Sequence, residues 1–532
     1  MKPKLIIIFI LILAAFLRFY RIDQVPPSLS WDEASIGYDA YSILKTGKDQ
    51  WGEIYPLAFK SFGEYKYPFH IYASAASVYF FGLNEFAVRF PAALLGVINI
   101  FLLYLLVFKL LKNQFIALTA SFLLAISPWH IQFSRIIWET NFALFFFFLG
   151  LYLFFVSKQN KKTFFLIISF TLFGLAIFTY NAAKVFIVLF IPLLLFLQRK
   201  YLLLQKKYLF FSLIILALFL AINLLDPRLS GLSRFKQLDF KQPDVVKTIS
   251  YQTSKVYSLG KVELIMRQYL LYFSPKFLFI SGDANLRHST QSVGQVYWIE
   301  LLLVFLGIFY FIKKELKSFI LIMGWLLLAP IPGSFTIEAP HASRSMFFLG
   351  AWQILAAAGV YYLYSLFKDY KKYLISILFL LLLVLLFNYF KYYLYEYPRV
   401  SSEYWQYGYE QVIEYIDKNY YNYDLIVISR TYGEPQIFTL FYSKYDPQKY
   451  QTDSNLKREK IGDWIQVLNF DKFYFPDLNN TGTRYEDIIK QNADKKILFV
   501  GKPGEFPDDR QVLYTAHFLD GETAFEIIDN KN

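Results

Sequence analysis

The chain has 532 residues, of which 56% are hydrophobic, and its apolar runs are repeatedly long enough to cross a bilayer, which takes about 20 residues per helix. This composition excludes an ordinary water-soluble protein and predicts a polytopic α-helical membrane protein. The absence of cysteine excludes disulfides, thiolate catalysis and cysteine-ligated zinc, and the net charge of +13 is typical of basic cytoplasmic loops beside a lipid bilayer rather than of a nucleic-acid partner.

About eleven apolar segments are candidate membrane spans. They lie at about 4–21, 86–110, 114–131, 139–157, 163–180, 183–198, 207–225, 296–312, 318–331, 344–366 and 372–393. The apolar run of the first segment ends at Leu17 and is followed by Arg18, Tyr20 and Arg21 rather than by small cleavage-site residues, so we interpret the segment as an uncleaved span. The shorter apolar segment from Tyr67 to Leu83 is predicted to be a juxtamembrane or re-entrant helix.

Charge in the short loops predicts the topology. With the N-terminus inside, every loop expected to be cytoplasmic is basic, as the positive-inside rule requires. The cations of these five loops are Lys109 and Lys112; Lys158, Lys161 and Lys162; Arg199, Lys200, Lys206 and Lys207; Lys313, Lys314 and Lys317; and Lys368, Lys371 and Lys372. Two large segments, about 22–85 and 226–295, then face outside, where their size indicates a function.

The composition changes after the last span. From about Glu396, charged residues, Asn, Pro and Gly interrupt short predicted strands such as Leu425–Ser429 and Ile497–Val500, and helices are predicted at Glu403–Asn419 and Thr483–Asn492. The sequence therefore divides into a transmembrane domain at 1–395 and a small soluble α/β domain at 396–532. That soluble domain is expected on the extracytoplasmic side, and the sequence assigns it no role.

Two adjacent carboxylates follow the first span. Asp32 and Glu33 lie beside Trp31 near the expected outer interface, where a carboxylate could deprotonate a hydroxyl acceptor. Acidic residues also favour helix N-termini, and this pair precedes a plausible helix that continues to Ile43. Both interpretations, a catalytic base and a helix cap, are open at this point.

Further ionisable residues lie at the outer ends of predicted spans. Glu64 and Lys66 precede the juxtamembrane segment, and Glu139 begins the fourth span, where an ionisable group at membrane depth is costly and therefore suggests function. The cations Lys184, His341 and Arg344 suit a phosphodiester or pyrophosphate, and lipid-headgroup anchoring is the alternative. Loop folding alone explains the polar stretch with Asp283, Arg287 and His288.

Three segments in order carry a family resemblance. Trp31-Asp32-Glu33, then Lys66-Tyr67-Pro68, then the series from Phe81-Gly82 to Arg89-Phe90-Pro91 resemble the protein O-mannosyltransferase superfamily, which includes the bacterial aminoarabinose transferases (glycosyltransferase family 39-like). The resemblance covers roughly residues 1–370. It implies the C-type glycosyltransferase (GT-C) fold, a multi-span body with large first-loop helices.

The resemblance also implies chemistry. It implies a polyprenyl-phosphate-linked sugar donor, an extracytoplasmic protein, lipid or glycan acceptor, and inversion at the anomeric carbon. Asp32, with Glu33 beside it, matches the catalytic position; Lys66 matches a lysine near the donor phosphate, and Arg344 resembles a phosphate-binding arginine, with Lys184 and His341 as further donor-site candidates. Glu139 stands where relatives hold a second acid, and with Glu64 it is assigned to acceptor or metal assistance.

The leading prediction is therefore a polyprenyl-phosphate-sugar-dependent glycosyltransferase in the plasma membrane of a prokaryote. A transporter or flippase for lipid-linked sugars or envelope polysaccharide is the alternative, but it predicts ionisable residues near the bilayer midplane of several spans. A non-catalytic scaffold is a third hypothesis, for which so many spans are excessive. A divalent cation is a possible cofactor, because Asp32, Glu33, Glu139 and His341 offer oxygen and nitrogen ligands.

Overall fold

The structure is a computed structural model that describes residues 3–160, 162–231, 237–367, 369–462, 464–478, 483–507 and 509–531. Lys161 and Lys368, two of the cations used to predict the topology, lie outside these residues. The chain forms two compact units. The first unit comprises Met1–Tyr20 and Ala92–Tyr392, and the second comprises Arg21–Pro91 and Tyr393–Asn532. The first outer loop therefore belongs to the same unit as the C-terminal region.

The first unit is helical throughout its described part. Between its longer helices are short connecting helices, a π-helical turn at Lys276–Ile280 and a 3₁₀ segment at Ser343–Phe348. Its α-helices are Pro3–Phe19, Gln114–Ile126, Pro128–Ser134, Glu139–Asn160, Phe164–Ile177, Asn181–Leu197, Arg199–Leu203, Lys206–Leu225, Gln242–Val246, Ile249–Ser254, Tyr257–Leu271, Ile299–Lys314, Leu316–Leu328, Ile331–Ser334 and Ala351–Leu366; Glu85–Leu111 and Lys371–Tyr395 complete the set of long helices.

Five helices among the described residues are long and apolar enough to cross a membrane. They are Glu85–Leu111, Glu139–Gln159, Lys206–Leu225, Leu316–Ser334 and Lys371–Tyr395. A sixth span is possible if Gln114–Ile126 and Pro128–Ser134, bent by 61° from each other, are counted together. The prediction of an integral membrane protein is confirmed, whereas the predicted count of about eleven spans is not.

Close helix packing in the first unit depends on glycine. A Cβ added to Gly307 would lie 1.9 Å from the carbonyl oxygen of Leu355, and one added to Gly359 would lie 1.8 Å from that of Leu303. Glycines of this kind let two helix backbones approach closely, which is how membrane helices commonly associate. They bring the helices Ile299–Lys314 and Ala351–Leu366 into backbone contact.

The first-loop part of the second unit contains two helices and a hairpin. The helix Trp31–Thr46 ends at Gly47, whose φ of 72° is the left-handed conformation of a helix C-cap. Strands β1 (Phe59–Lys60) and β2 (Tyr65–Lys66) pair antiparallel, with Phe59 opposite Lys66. The helix Pro68–Phe81 follows directly and is the helix predicted between Tyr67 and Leu83.

The C-terminal part of the second unit is built on a mixed seven-stranded sheet. Its strands are β3 (Leu425–Ile428), β4 (Lys457–Ile461), β5 (Trp464–Phe470), β6 (Phe473–Tyr474), β7 (Ile497–Gly501), β8 (Tyr514–His517) and β9 (Thr523–Asp529). The strand order is β4-β5-β6-β3-β7-β9-β8, and β3 at its centre is parallel to both neighbours. Around the sheet lie the helices Tyr397–Ser401, Tyr409–Asn419, Pro435–Tyr442, Pro447–Thr452 and Tyr485–Gln491, with a 3₁₀ turn at Tyr420–Asn422. The predicted strands at Leu425 and Ile497 are the central pair, β3 and β7.

Candidate active site

The candidate site begins at the start of the helix Trp31–Thr46, which Ser30 caps. The Ser30 hydroxyl accepts the backbone N–H of Glu33 at 3.4 Å, and the Glu33 carboxylate accepts the backbone N–H of Ser30 at 3.2 Å. This reciprocal capping box satisfies N–H groups that a helix start leaves open. The helix-cap interpretation therefore accounts for the position of Glu33.

Arg89 binds the same glutamate. The Arg89 side chain is fully buried; its Nε lies 3.0 Å from Glu33 Oε1, and its Nη2 lies 3.1 Å from Oε2. The remaining N–H groups of the guanidinium donate to the backbone carbonyls of Ile22, Pro26 and Ser28. A bidentate pair of this type is strong and directional, so it fixes the chain that leads into the helix. The carboxylate of Glu33 is consequently occupied on both oxygens.

Asp32, the adjacent acid, has a different environment. Lys66 Nζ lies 3.0 Å from Asp32 Oδ1 and 3.3 Å from the Asp32 carbonyl oxygen. The Lys66 side chain is 5% exposed, whereas that of Asp32 is 29% exposed. A carboxylate that is open to solvent can receive a proton, and an ammonium whose bonds are made to only one side chain can also bind a second anion. The structure thus brings Asp32 and Lys66 together and gives Glu33 a different ion-pair partner, Arg89.

His70 adds a buried imidazole beside this pair. It lies on the helix Pro68–Phe81, four residues after Lys66 in the chain, and is fully buried. Burial, the larger effect, and the nearby ammonium of Lys66 lower the pKa of His70 to about 3, although Asp32 acts in the opposite direction. His70 is therefore neutral at physiological pH and does not compete with Lys66 for an anion.

A second cluster of ionisable side chains lies in the first unit. His288 Nδ1 is 3.0 Å from Asp283 Oδ2, and the rings of His288 and His341 are 4.4 Å apart between centroids. Burial opposes ionisation of Asp283, but His288 and the backbone N–H groups of Ala342 and Asn285 hold its pKa below the usual range. One ligand atom from each of Asp283, His288 and His341 lies within 4.8 Å of the others, and this set of one carboxylate and two imidazoles fits Zn²⁺ or a similar divalent cation.

The other predicted residues of the first unit have separate partners. Arg344 donates to the Thr336 hydroxyl and the Ile337 carbonyl at 2.8 Å each, and lies 3.2 Å from Glu338. Lys184 donates to the carbonyl of Leu229. Glu139 is the first residue of its helix, as the sequence predicts, and is half-buried. Arg344 and His341, although three residues apart, therefore contact different groups.

In the second unit, Glu64 occupies the turn of the β1–β2 hairpin. Its side chain is half-buried, and its backbone carbonyl accepts the N–H of Ser61 at 2.8 Å. Its carboxylate belongs to the turn that presents Lys66, so the structure places the pair of residues predicted from the sequence on one hairpin.

Arg89 and His70 are the two residues of this site to which sequence analysis assigns no role. Arg89 stood in the resemblance series but carried no role, although an arginine in the first turns of an apolar helix is costly without a buried partner. That position was a usable signal. His70 offered none, because an imidazole in an apolar aromatic helix is as typical of a buried structural residue as of a functional one.

Comparisons with known proteins extend this picture. A sequence-family model described as dolichyl-phosphate-mannose-protein mannosyltransferase matches residues 8–229. The structure of ArnT from Cupriavidus metallidurans in the apo state is similar, with a TM-score of 0.60 and 11% sequence identity; the match covers 99% of this chain and 97% of that one. The structure of the same protein bound to undecaprenyl phosphate matches with a TM-score of 0.55 and 11% sequence identity, and covers 98% of this chain and 97% of that one. No curated protein sequence matches.

These matches bear on the predictions made from the sequence. The similarity to ArnT extends over nearly the whole of both chains, and at this identity it establishes the fold. It confirms the predicted GT-C fold, and the family-model match over residues 8–229 supports the predicted enzyme that transfers a sugar.

Proposed function

We propose that this chain is a glycosyltransferase of the GT-C superfamily. It transfers a sugar from a polyprenyl-phosphate donor to a hydroxyl-bearing acceptor on the extracytoplasmic side of a prokaryotic plasma membrane. Asp32 is the base. The observation that carries the proposal is the ion pair between the buried Lys66 and the part-exposed Asp32, 3.0 Å apart. The family-model match and the undecaprenyl phosphate bound by the similar ArnT support the class of donor.

The reaction follows from the two side chains. Asp32 takes the proton of the acceptor hydroxyl as its oxygen attacks the anomeric carbon. The bond from that carbon to the phosphate oxygen breaks, the lipid monophosphate departs with the electron pair, and the configuration inverts. Lys66 compensates the charge that develops on the departing phosphate.

Five further residues receive proposed roles in binding the donor, the acceptor or a metal. We assign Arg344 and Lys184 to binding of the donor phosphate, His341 to the same donor or to a metal, and Glu139 with Glu64 to the acceptor. The guanidinium of Arg344 supports its role, because Thr336 and Ile337 hold it in one orientation while its planar fork suits phosphate oxygens.

Asp283, His288 and His341 are the residues that would hold a divalent cation. When bound, such an ion supplies a fixed positive charge that binds oxygen anions. Titration of the purified, chelator-treated protein with Zn²⁺ or Mn²⁺ by calorimetry should give about one site, which His341→Ala abolishes and the exposed His517→Ala leaves intact. Equal binding by wild type and His341→Ala would remove the cluster as a metal site.

The experiment that tests the function is reconstitution with a panel of radiolabelled polyprenyl-phosphate sugars and membrane acceptors. We expect transfer by wild type and a loss of about 100-fold or more in Asp32→Asn, the size typical of removing a general base. Asp23→Asn, which changes an exposed acid in the same loop, is the matched control.

Each outcome has a definite meaning. Transfer that collapses in Asp32→Asn but not in Asp23→Asn supports the base assignment. Transfer unaffected by Asp32→Asn removes Asp32 from catalysis. Failure of wild type to transfer from every donor contradicts the proposal and makes lipid-linked sugar transport the next activity to measure.

A further inference from the structure

The C-terminal region contacts both sides of the Asp32–Lys66 pair within the second unit. On one side it holds Trp31, the residue before Asp32. The backbone N–H of Trp31 donates to Gln406 Oε1 at 2.9 Å, and Gly433, with a φ of 115°, approaches so closely that a Cβ there would lie 2.3 Å from the Trp31 indole. Glycine is required at this position both by its backbone conformation and by the space.

On the other side the C-terminal region holds Phe62, in the turn of the hairpin that carries Lys66. Strand β5 contributes a backbone hydrogen bond from Ile465 N–H to the Phe62 carbonyl at 2.7 Å. The Trp464 and Phe62 rings stack with centroids 6.0 Å apart and 21° between their planes. Lys66 Nζ lies 5.6 Å from the centre of the same Phe62 ring. Trp464 and Lys66 thus share one aromatic neighbour.

The two contacts are connected through one short segment. Glu434, the neighbour of Gly433, accepts the Trp464 indole N–H at 2.6 Å through Oε1. Its other oxygen lies 3.2 Å from Arg430 Nη1, and both side chains are buried, with 5% and 6% exposure. We call Gln406, the segment Arg430–Glu434 and Trp464 the C-terminal clamp.

We propose that the C-terminal clamp positions Lys66 for the donor phosphate, with Trp464 as the positioning residue that acts through Phe62. The proposal rests on the proposed function, because it takes Lys66 as the phosphate-binding group. Trp464 contacts the hairpin and not the reacting atoms, so its effect must pass through Lys66.

The physical reason for such a clamp lies in the shortness of the hairpin. Strands β1 and β2 pair over only two residues each, and an isolated two-stranded hairpin is at best marginally stable in water. A lysine ammonium is a point charge on a flexible stem, so its position depends on the backbone that carries it. Strand β5 and the Trp464 ring supply the additional pairing and packing that fix the turn next to Lys66.

The test measures binding of undecaprenyl phosphate to the purified full-length protein in detergent, which requires neither the sugar nor the acceptor to be known. We expect Lys66→Ala to weaken binding about tenfold, as for loss of a charge-assisted hydrogen bond. Trp464→Leu should weaken it about fivefold, and the double variant should bind no more weakly than Lys66→Ala alone, because coupled residues are not additive.

Two controls separate positioning from general loss of structure. Trp464→Phe keeps the ring on Phe62 and should restore binding to within about twofold of wild type, whereas Tyr421→Leu removes a fully exposed aromatic of the same region and should change nothing. If Trp464→Leu does not fold, Phe62→Leu removes the same stacking from the side of the hairpin.

Additive effects of Trp464→Leu and Lys66→Ala, or unchanged binding in Trp464→Leu, overturn the positioning role while the proposed function stands. Unchanged binding in Lys66→Ala, or no binding by wild type, refutes the Lys66 assignment itself, and the clamp proposal falls with it. Non-additivity with rescue by Trp464→Phe supports the proposal.

Discussion

Replacing Arg89 by methionine should be among the most destabilising single changes in the second unit. Arg89 is fully buried, and in the variant Glu33 would remain buried with its two bonds to the guanidinium gone. The carbonyls of Ile22, Pro26 and Ser28 would also lose their donor. Breaking a buried ion pair from one side is destabilising by roughly 3 to 5 kcal/mol.

The assay is thermal unfolding in detergent. A loss of that size should lower Tm by roughly 6 to 20 °C for a unit of this length. Adding Glu33→Gln to Arg89→Met removes the unpaired charge while keeping a capping side chain, so the double variant should be more stable than Arg89→Met alone. Arg228→Met, which breaks a half-exposed pair with Asp226, is the control and should shift stability by less than about 1 kcal/mol. Equal shifts for Arg89→Met and Arg228→Met would refute the reasoning.

Two further predictions concern stability. Burial, the larger effect, and the neighbouring Asp49 raise the pKa of Asp39 to about 8 from an ordinary value of 3.8. Between these two pH values the folded chain keeps a proton that the unfolded chain releases. The Asp39 side chain therefore makes the fold less stable as pH rises from about 4 to 8. Asp39→Asn should therefore raise Tm more at pH 8 than at pH 5; the same change at both pH values would contradict the assignment. Gly359→Ala should lower stability by more than Gly324→Ala. The added methyl meets the Leu303 carbonyl at 1.8 Å in Gly359→Ala, but a movable Leu193 methyl at 2.4 Å in Gly324→Ala. Similar Tm values for the two variants would contradict this prediction.

The sequence predicted where membrane helices lie better than where they break. The predicted span at 114–131 is two helices in the structure, because Ser127 caps a new helix and Pro128 occupies its first position. The predicted span at 344–366 is likewise divided, since Gly350 takes a φ of 91° between the 3₁₀ segment and the helix Ala351–Leu366. Hydropathy averages over such breaks, and a cap within an apolar run changes the average very little.

The candidate site was predicted residue by residue but not as an arrangement. Asp32 and Lys66 were both identified, yet their pairing depends on a hairpin of two-residue strands, which has no periodic signature. The hairpin in turn contacts β5, about 400 residues later in the chain, and local patterns carry no information about such a partner. Strand β4, charged and wholly exposed, also lacks the alternation by which a half-buried strand is recognised.

The same limit applies to the two neighbouring acids, and the structure supplies the physical distinction between them. Glu33 accepts two N–H groups from Arg89 and one from the backbone of Ser30, so both of its oxygens hold the start of the helix in place. Asp32 has an ammonium on one side and 29% of its side chain exposed, so it can take a proton while that contact remains. Because a base must gain and release a proton in each turnover, an acid that solvent reaches is better suited to that role than a fully buried one. Glu33 anchors the helix start, and we propose Asp32 as the base.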